Sequence, residues 1–186
     1  QPSEIGKVLD PTADEGKNRV KIEEKIEQLK EICLKLTNSN SRNFNKFPGA
    51  HPVSLTREYL DCTLKPNADR YVVCEKTDGV RYLLLLMNSG TYLVDRKYTF
   101  TAVKVAFPLP DGEIKNKKAW LHNKTLLDGE LVVDKLPNGG SKLRYLAYDI
   151  LAENDRSLLD LNFADRLIAL KSRVLAPQKT FLEKKT

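Results

Sequence analysis

The chain has 186 residues, 41% hydrophobic and 30% charged, enough to bury a core and consistent with one domain or a large part of one. No apolar run approaches the roughly 18 residues of a membrane helix, and residues 1–18 lack the apolar centre of a signal peptide, so no membrane partner and an intracellular location are expected. Lys plus Arg exceed Asp plus Glu by 31 to 25, a formal charge of +6 that suits an anionic partner such as a nucleotide or an RNA end without naming one.

Residues 1–17 mix Pro2, Gly6, Pro11 and Gly16 with charges and no periodicity, the pattern of an arm or linker, which leaves 18–186 as the structured portion. From Asn18 the apolar residues Ile22, Ile26, Leu29, Cys33 and Leu36 recur at spacings of four and three, predicting an amphipathic helix that packs on its own domain and ends at Asn38-Ser39-Asn40-Ser41. Phe47-Pro48-Gly49-Ala50-His51-Pro52-Val53-Ser54 has a restricted backbone, and a short helix is predicted from Thr56 to Leu64. His51 has no Ser, Cys or carboxylate partner in view and receives no catalytic role.

Strands follow. Tyr71–Lys76, Val80–Met87 and Thr91–Val103 are rich in Val, Leu, Tyr and Thr, with Asn88-Ser89-Gly90 as a hairpin turn. Val80–Met87 is apolar on both faces and is expected at the centre of a sheet. The two-residue period puts Tyr92, Val94 and Arg96 on one face, where Arg96 is read either as an edge residue that snorkels or as a site residue. Residues 104–124 form a connection with a basic run, Lys115, Lys117, Lys118 and Lys124, around Trp120. Thr125–Leu136 is a strand in which Asp128 and Glu130 point one way while Leu127, Leu131 and Val133 are expected to bury the other side. Carboxylates on an apolar strand demand partners, either an arginine or a ribose or metal. After the turn Pro137-Asn138-Gly139-Gly140, residues Lys142–Leu151 form a further strand carrying Tyr148, and Leu161–Ala176 is a helix capped by Asp160 or Asn162 and stopped before Pro177. The expected class is α+β, with largely antiparallel sheets and flanking helices.

The charged stretch Lys76-Thr77-Asp78-Gly79-Val80-Arg81 sits between two predicted strands. It offers a nitrogen nucleophile, a turn-permitting glycine and an arginine fork suited to phosphate or ribose oxygens. There is no glycine-rich phosphate loop and no GxSxG elbow, so phosphate chemistry must use side chains. Cys33, Cys62 and Cys74 are odd in number and lack CxxC spacing, which suggests reduced thiols and neither a disulfide framework nor a zinc site.

Taken in order, Lys76-Thr77-Asp78-Gly79-Val80-Arg81, Asp95-Arg96, Leu127-Asp128-Gly129-Glu130-Leu131-Val132 and Arg144-Tyr145-Leu146-Ala147-Tyr148-Asp149 resemble the lysine nucleotidyltransferase superfamily of mRNA capping enzymes and ATP-dependent polynucleotide ligases. Phe47–Ser54 and the wording Glu75-Lys76-Thr77-Asp78-Gly79 are similar to the capping branch, His51 standing where relatives often carry Gln. The resemblance implies a GTP:RNA guanylyltransferase in which Lys76 holds GMP as a phosphoramidate and passes it to a 5′-diphosphate RNA end. By the same resemblance Thr77, Arg81, Arg96, Glu130 and Tyr148 bind the nucleotide: Arg81 and Glu130 at the ribose, Arg96 at the phosphates, Tyr148 stacked on guanine. Mg or Mn would neutralise the phosphates, with no metal ligand assigned. It further implies a nuclear location, an RNA triphosphatase partner and contact with the phosphorylated tail of RNA polymerase II. A lysine nucleophile needs partial burial and nearby positive charge, which flanking strands could supply.

The later family elements and the OB-fold domain have no match after Leu151, so the chain is expected to be the N-terminal portion of the nucleotidyltransferase domain and inactive alone. A ligase-type adenylyltransferase using the same Lys76 and a non-catalytic RNA- or protein-binding fragment are the alternatives.

Overall fold

The computed structural model describes residues 19–20, 22–39, 45–114 and 120–184, so the arm at 1–17 and Lys115, Lys117 and Lys118 lie outside the described residues. The class is α+β, as expected, built on one six-stranded antiparallel sheet. Its strands are β1 (Val80–Met87), β2 (Gly90–Val94), β3 (Phe100–Val103), β4 (Thr125–Lys135), β5 (Ser141–Glu153) and β6 (Arg156–Ser157), in the spatial order β3-β2-β1-β4-β5-β6. The run that reads apolar on both faces is thus central, between β2 and β4. Met87 pairs with Gly90 across the turn predicted there.

Alternation along the strands divides the core in two. Leu83, Leu85, Tyr92, Val94 and Leu126 face helix α1 (Glu23–Leu36) and meet its Leu29, Cys33 and Leu36. Leu84, Leu86, Leu93, Leu127 and Ile150 face the opposite way and meet Leu170 and Val174 of the C-terminal helix α3 (163–183). Each buried leucine contributes about 1.5–3 kcal/mol, so these two layers hold the sheet. Glu23 and Glu24 in the first turn of α1 and Lys35 in the last suit the helix dipole, and Asn38 ends the helix with φ 51. Between them, α2 begins at Arg57–Tyr59, capped by the Thr56 side chain, and continues through Leu60–Leu64 and Lys65–Arg70.

Four expectations need correction. Tyr71–Lys76 is not a strand: both flanks of β1 are taken by β2 and β4, and Val72 and Val73 stand in solvent at 68% and 102% exposure. Thr91–Val103 is broken in two, because the Asp95 carboxylate accepts the backbone N–H groups of Lys97 (2.9 Å) and Thr99 (2.8 Å) and turns the chain, with Tyr98 at φ 61. Arg96 therefore belongs to a turn, not to the face of Tyr92 and Val94. Val133 is exposed, lying beyond the end of the core that covers Leu127 and Leu131.

The fourth concerns α3, which starts at Phe163–Ala169 with the Asn162 side chain accepting the Asp165 N–H. It passes through a wide π turn at Leu170–Leu175 and continues as Ala176–Glu183. Pro177 falls in the first turn after that widening, and the Arg173 carbonyl four residues before it accepts from His122 Nε2 at 3.0 Å instead. Among the described residues no helix is long and apolar enough to cross a membrane.

Candidate active site

Arg81 and Glu130 are directly opposed across the β1–β4 ladder, and Leu83 is opposed to Asp128. The two-residue period puts Arg81 on the face of Leu83 and Leu85, beyond the part of the sheet that α1 covers. Gly79, Val80, Arg81, Tyr82 and Glu130 form one side of an open cleft of ≈ 390 Å³, and the turn Asp95, Arg96 and Lys97 forms the other. Three cations and two carboxylates therefore line it. Asp95 is occupied by backbone N–H groups. Among the described residues no carboxylate pairs with Arg96 or Lys97, so both cations remain available to an anion.

Glu130 holds the lysine-bearing turn. Its carboxylate accepts the Thr77 hydroxyl on Oε2 and the Gly79 N–H at 3.3 Å on Oε1. The turn lies so close to β4 that a Cβ on residue 79 would meet the Leu131 carbonyl oxygen at 2.4 Å, which is the reason for glycine there. Lys76 is one residue from this contact but is exposed and is not part of the cleft wall. The burial expected from flanking strands is absent, because residues 71–79 join no ladder.

Tyr148 reaches the site through a bulge. Asp128 pairs with Asp149 and Gly129 with Ala147, so Tyr148 is the extra residue of β5 at this point, re-aimed as bulges do. Its half-exposed ring carries a hydroxyl that donates to Asp128 Oδ1 at 2.9 Å. Burial and the Asp128 carboxylate push that hydroxyl well above the usual tyrosine range, so it remains a donor. Arg81 donates Nε to Asp128 Oδ1 (2.9 Å) and Nη2 to Oδ2 (2.5 Å), and this fork to the carboxylate raises its own pKa further. Removing either member of so enclosed a pair leaves a stranded charge, at a cost of about 3–5 kcal/mol.

Of the residues singled out in the sequence, the structure brings Arg81, Arg96 and Glu130 to one cleft. Thr77 reaches it through Glu130, while Tyr148 joins Arg81 through Asp128. Sequence reasoning missed Lys97 and the bridging part of Asp128. The signal for Asp128 was a carboxylate on an apolar strand; for Lys97 there was none beyond its adjacency to Arg96. Among the described residues no cluster of three or more His, Cys, Asp or Glu could hold a metal.

A family profile, mRNA capping enzyme catalytic domain, matches residues 13–186. The chain belongs to the mRNA capping enzyme family. It is 36% identical over 148 residues to the mRNA-capping enzyme subunit alpha of Neurospora crassa, covering 74% of this chain and 35% of that relative. It is 36% identical over 160 residues to the subunit alpha of Saccharomyces cerevisiae, covering 81% and 34%. To the mRNA-capping enzyme of Danio rerio it is 30% identical over 172 residues, covering 91% and 27%. The chain thus spans about a third of the length of the curated relatives it matches. Within the family match fall both walls of the cleft and the Phe47–Ser54 segment.

Proposed function

We propose that this chain supplies the nucleotide-accepting part of a GTP:RNA guanylyltransferase acting in mRNA 5′ capping. The observation that carries the reading is the Glu130 carboxylate, which anchors the Thr77-Gly79 turn beside Lys76 while standing opposite Arg81 in the cleft. In this reading the neutral amine of Lys76 attacks the α-phosphorus of GTP. A P–N bond forms, the bond from that phosphorus to the bridging oxygen breaks, pyrophosphate leaves, and the amine's proton passes to solvent. The β-phosphate oxygen of a 5′-diphosphate RNA then attacks the same phosphorus, and the P–N bond breaks with the nitrogen protonated.

The chain's residues have distinct parts in this scheme. Arg96 and Lys97 lie across the cleft from Glu130 and meet the phosphates as uncommitted cations. The two N–H groups of Arg81 not given to Asp128 or to the Ala50 carbonyl are available to ribose oxygens. Glu130 accepts ribose hydroxyls by exchanging its present donors, and the Tyr148 ring offers a stacking surface held at its hydroxyl end. Mg or Mn finds no protein cage among the described residues, so it is assigned to the phosphates of the incoming nucleotide, in keeping with the few protein ligands Mg uses.

The proposal extends to residues 18–186 as the N-terminal portion of the nucleotidyltransferase domain, to a nuclear protein, and to partnership with an RNA triphosphatase and the phosphorylated polymerase II tail. It assigns the closing steps to segments outside this chain, so the test uses the full-length protein. After incubation with α-labelled GTP or ATP and Mg, GTP alone is expected to leave label on the protein that is stable to alkali and released by acid, as a phosphoramidate is, and Lys76→Ala is expected to remove it. Label from ATP alone establishes the ligase-type reading instead, and label that survives Lys76→Ala overturns both. Absence of label with either nucleotide supports a non-catalytic fragment.

A further inference from the structure

Asp128 has no part in the chemistry above, yet it is the most enclosed acid of the site, 4% exposed. Both its oxygens are in use: Oδ1 accepts from Arg81 Nε and the Tyr148 hydroxyl, and Oδ2 from Arg81 Nη2. Arg81 in turn donates Nη1 to the Ala50 carbonyl at 2.5 Å and sets its guanidinium 5.5 Å from the centre of the Phe47 ring. One carboxylate therefore ties together four pieces of chain: the Phe47–Ala50 segment, β1, β4 and the β5 bulge.

The ladder already fixes β1 and β4, but the Arg81 side chain, the Tyr148 bulge and the Phe47–Ala50 segment each keep a freedom that this carboxylate restricts. Arginine is rich in rotamers, and only a two-point fork removes that freedom. Tyr148 sits at a bulge, where the ladder does not fix its backbone. Phe47–Ala50 is irregular chain without a ladder: the Phe47 ring packs on the core layer that α1 covers, and Arg81 supplies the polar contact, through the Ala50 carbonyl, that ties the segment's end to the sheet.

We propose that Asp128 is a positioning residue: without touching the nucleotide, it holds the Arg81 fork and the Tyr148 ring in the geometry the nucleotide meets and, through Arg81, pins the Phe47–Ala50 segment beside the cleft. The nucleotide half of this statement rests on the guanylyltransferase reading; the pinning half does not. The pair with Asp128 and the bond to Ala50 together leave Arg81 with one free N–H on each terminal nitrogen, which defines how it can approach a ribose.

The test compares Asp128→Asn, Arg81→Lys and Tyr148→Phe in the full-length protein, with two readouts. One is formation of the labelled protein adduct, resolved into KM for the nucleotide and the rate at saturation. The other is hydrogen exchange at the amides of Phe47, Gly49 and Ala50 without nucleotide. Asp128→Asn keeps the shape but loses the charge and one acceptor. It is expected to raise KM by up to about a hundredfold, the cost of a misplacement near 1 Å, and to speed exchange at 47–50 at least about tenfold while leaving the β1–β2 amides protected. Tyr148→Phe is expected to raise KM without moving exchange at 47–50.

A fall in melting temperature with both readouts unchanged would overturn the proposal. So would an Arg81→Lys variant matching the wild type in both, since it keeps the charge and loses the fork; that variant decides the matter if Asp128→Asn does not fold. If the wild type takes no label from any nucleotide, the functional reading and the nucleotide half fail together. The exchange comparison still decides the pinning.

Discussion

Arg81 faces Glu130 directly across the β1–β4 ladder but forms its ion pair with Asp128, the next acid on the same face of β4. Among the described residues that choice leaves Glu130 without a cationic partner, and its carboxylate holds the Thr77-Gly79 turn. Two carboxylates two residues apart therefore act differently, one on the fixed frame and one on the lysine-bearing turn.

Thr77→Val tests the second of these. It removes a hydroxyl donor to a carboxylate, an interaction worth about 1.5–3 kcal/mol. If the contact is realised during transfer to Lys76, the rate of adduct formation falls by roughly 10- to 150-fold. Pre-steady-state labelling with GTP measures it, and a melting curve shows the fold retained because the segment joins no ladder.

Gly79→Ala meets backbone that cannot yield. The added carbon would lie 2.4 Å from the Leu131 oxygen, 2.7 Å from Val132 Cγ1 and 2.8 Å from Glu130 Cγ. The turn must lift away from β4, breaking the Gly79 N–H contact with Glu130. Overpacking of this kind costs about 1–3 kcal/mol, and urea titration together with adduct labelling is expected to show that loss and a near absence of label.

The buried His122 predicts the acid side of the stability profile. Its Nε2 faces the Arg173 carbonyl oxygen at 3.0 Å and its Nδ1 the Thr125 hydroxyl at 3.2 Å, a pairing that suits the neutral ring with Nε2 donating. Burial holds its pKa below the ordinary imidazole value, so the unfolded chain takes up the proton first as pH falls. The contribution is complete above about pH 6.5 and is lost progressively below it. Denaturant titrations between pH 5 and 8 are expected to show that slope in the wild type and a shallower one in His122→Gln.

Thiol chemistry checks the placement of α1. Burial pushes the Cys33 thiol up to about 12, while Cys62 and Cys74 are exposed. Alkylation of the folded protein followed by intact mass is expected to add two groups, and a third only in denaturant. Modification of Cys33 under native conditions would contradict the packing of α1 on Leu83 and Leu85.

What was legible in the sequence was local in origin. The four-and-three spacing of Leu29, Cys33 and Leu36 and the two-residue period of β1 are properties of single elements, and both appear in the structure. Tyr71–Lys76 misleads because β-branched residues favour extended backbone, but a strand also needs a partner, and β1 has no open flank. Arg96 misleads because a two-residue period cannot be carried through a turn closed by Asp95. In the site, a carboxylate at position 128 visibly demanded a partner, but Arg81 is 47 residues away and was one arginine of several. The bulge that presents Tyr148 is a mismatch between two strands, which neither strand records alone.

The Asp128 junction also bears on how the molecule is made. Its contacts close spans of 47 residues to Arg81 and 20 to Tyr148, and Arg81 reaches 31 residues back to Ala50. The β1–β2 hairpin closes over two residues and repays its chain entropy at once, whereas these contacts wait for β4 and β5. During synthesis Arg81 emerges long before the carboxylate that neutralises it, so the Arg81–Asp128–Tyr148 junction is completed late, after the sheet's first hairpin is in place.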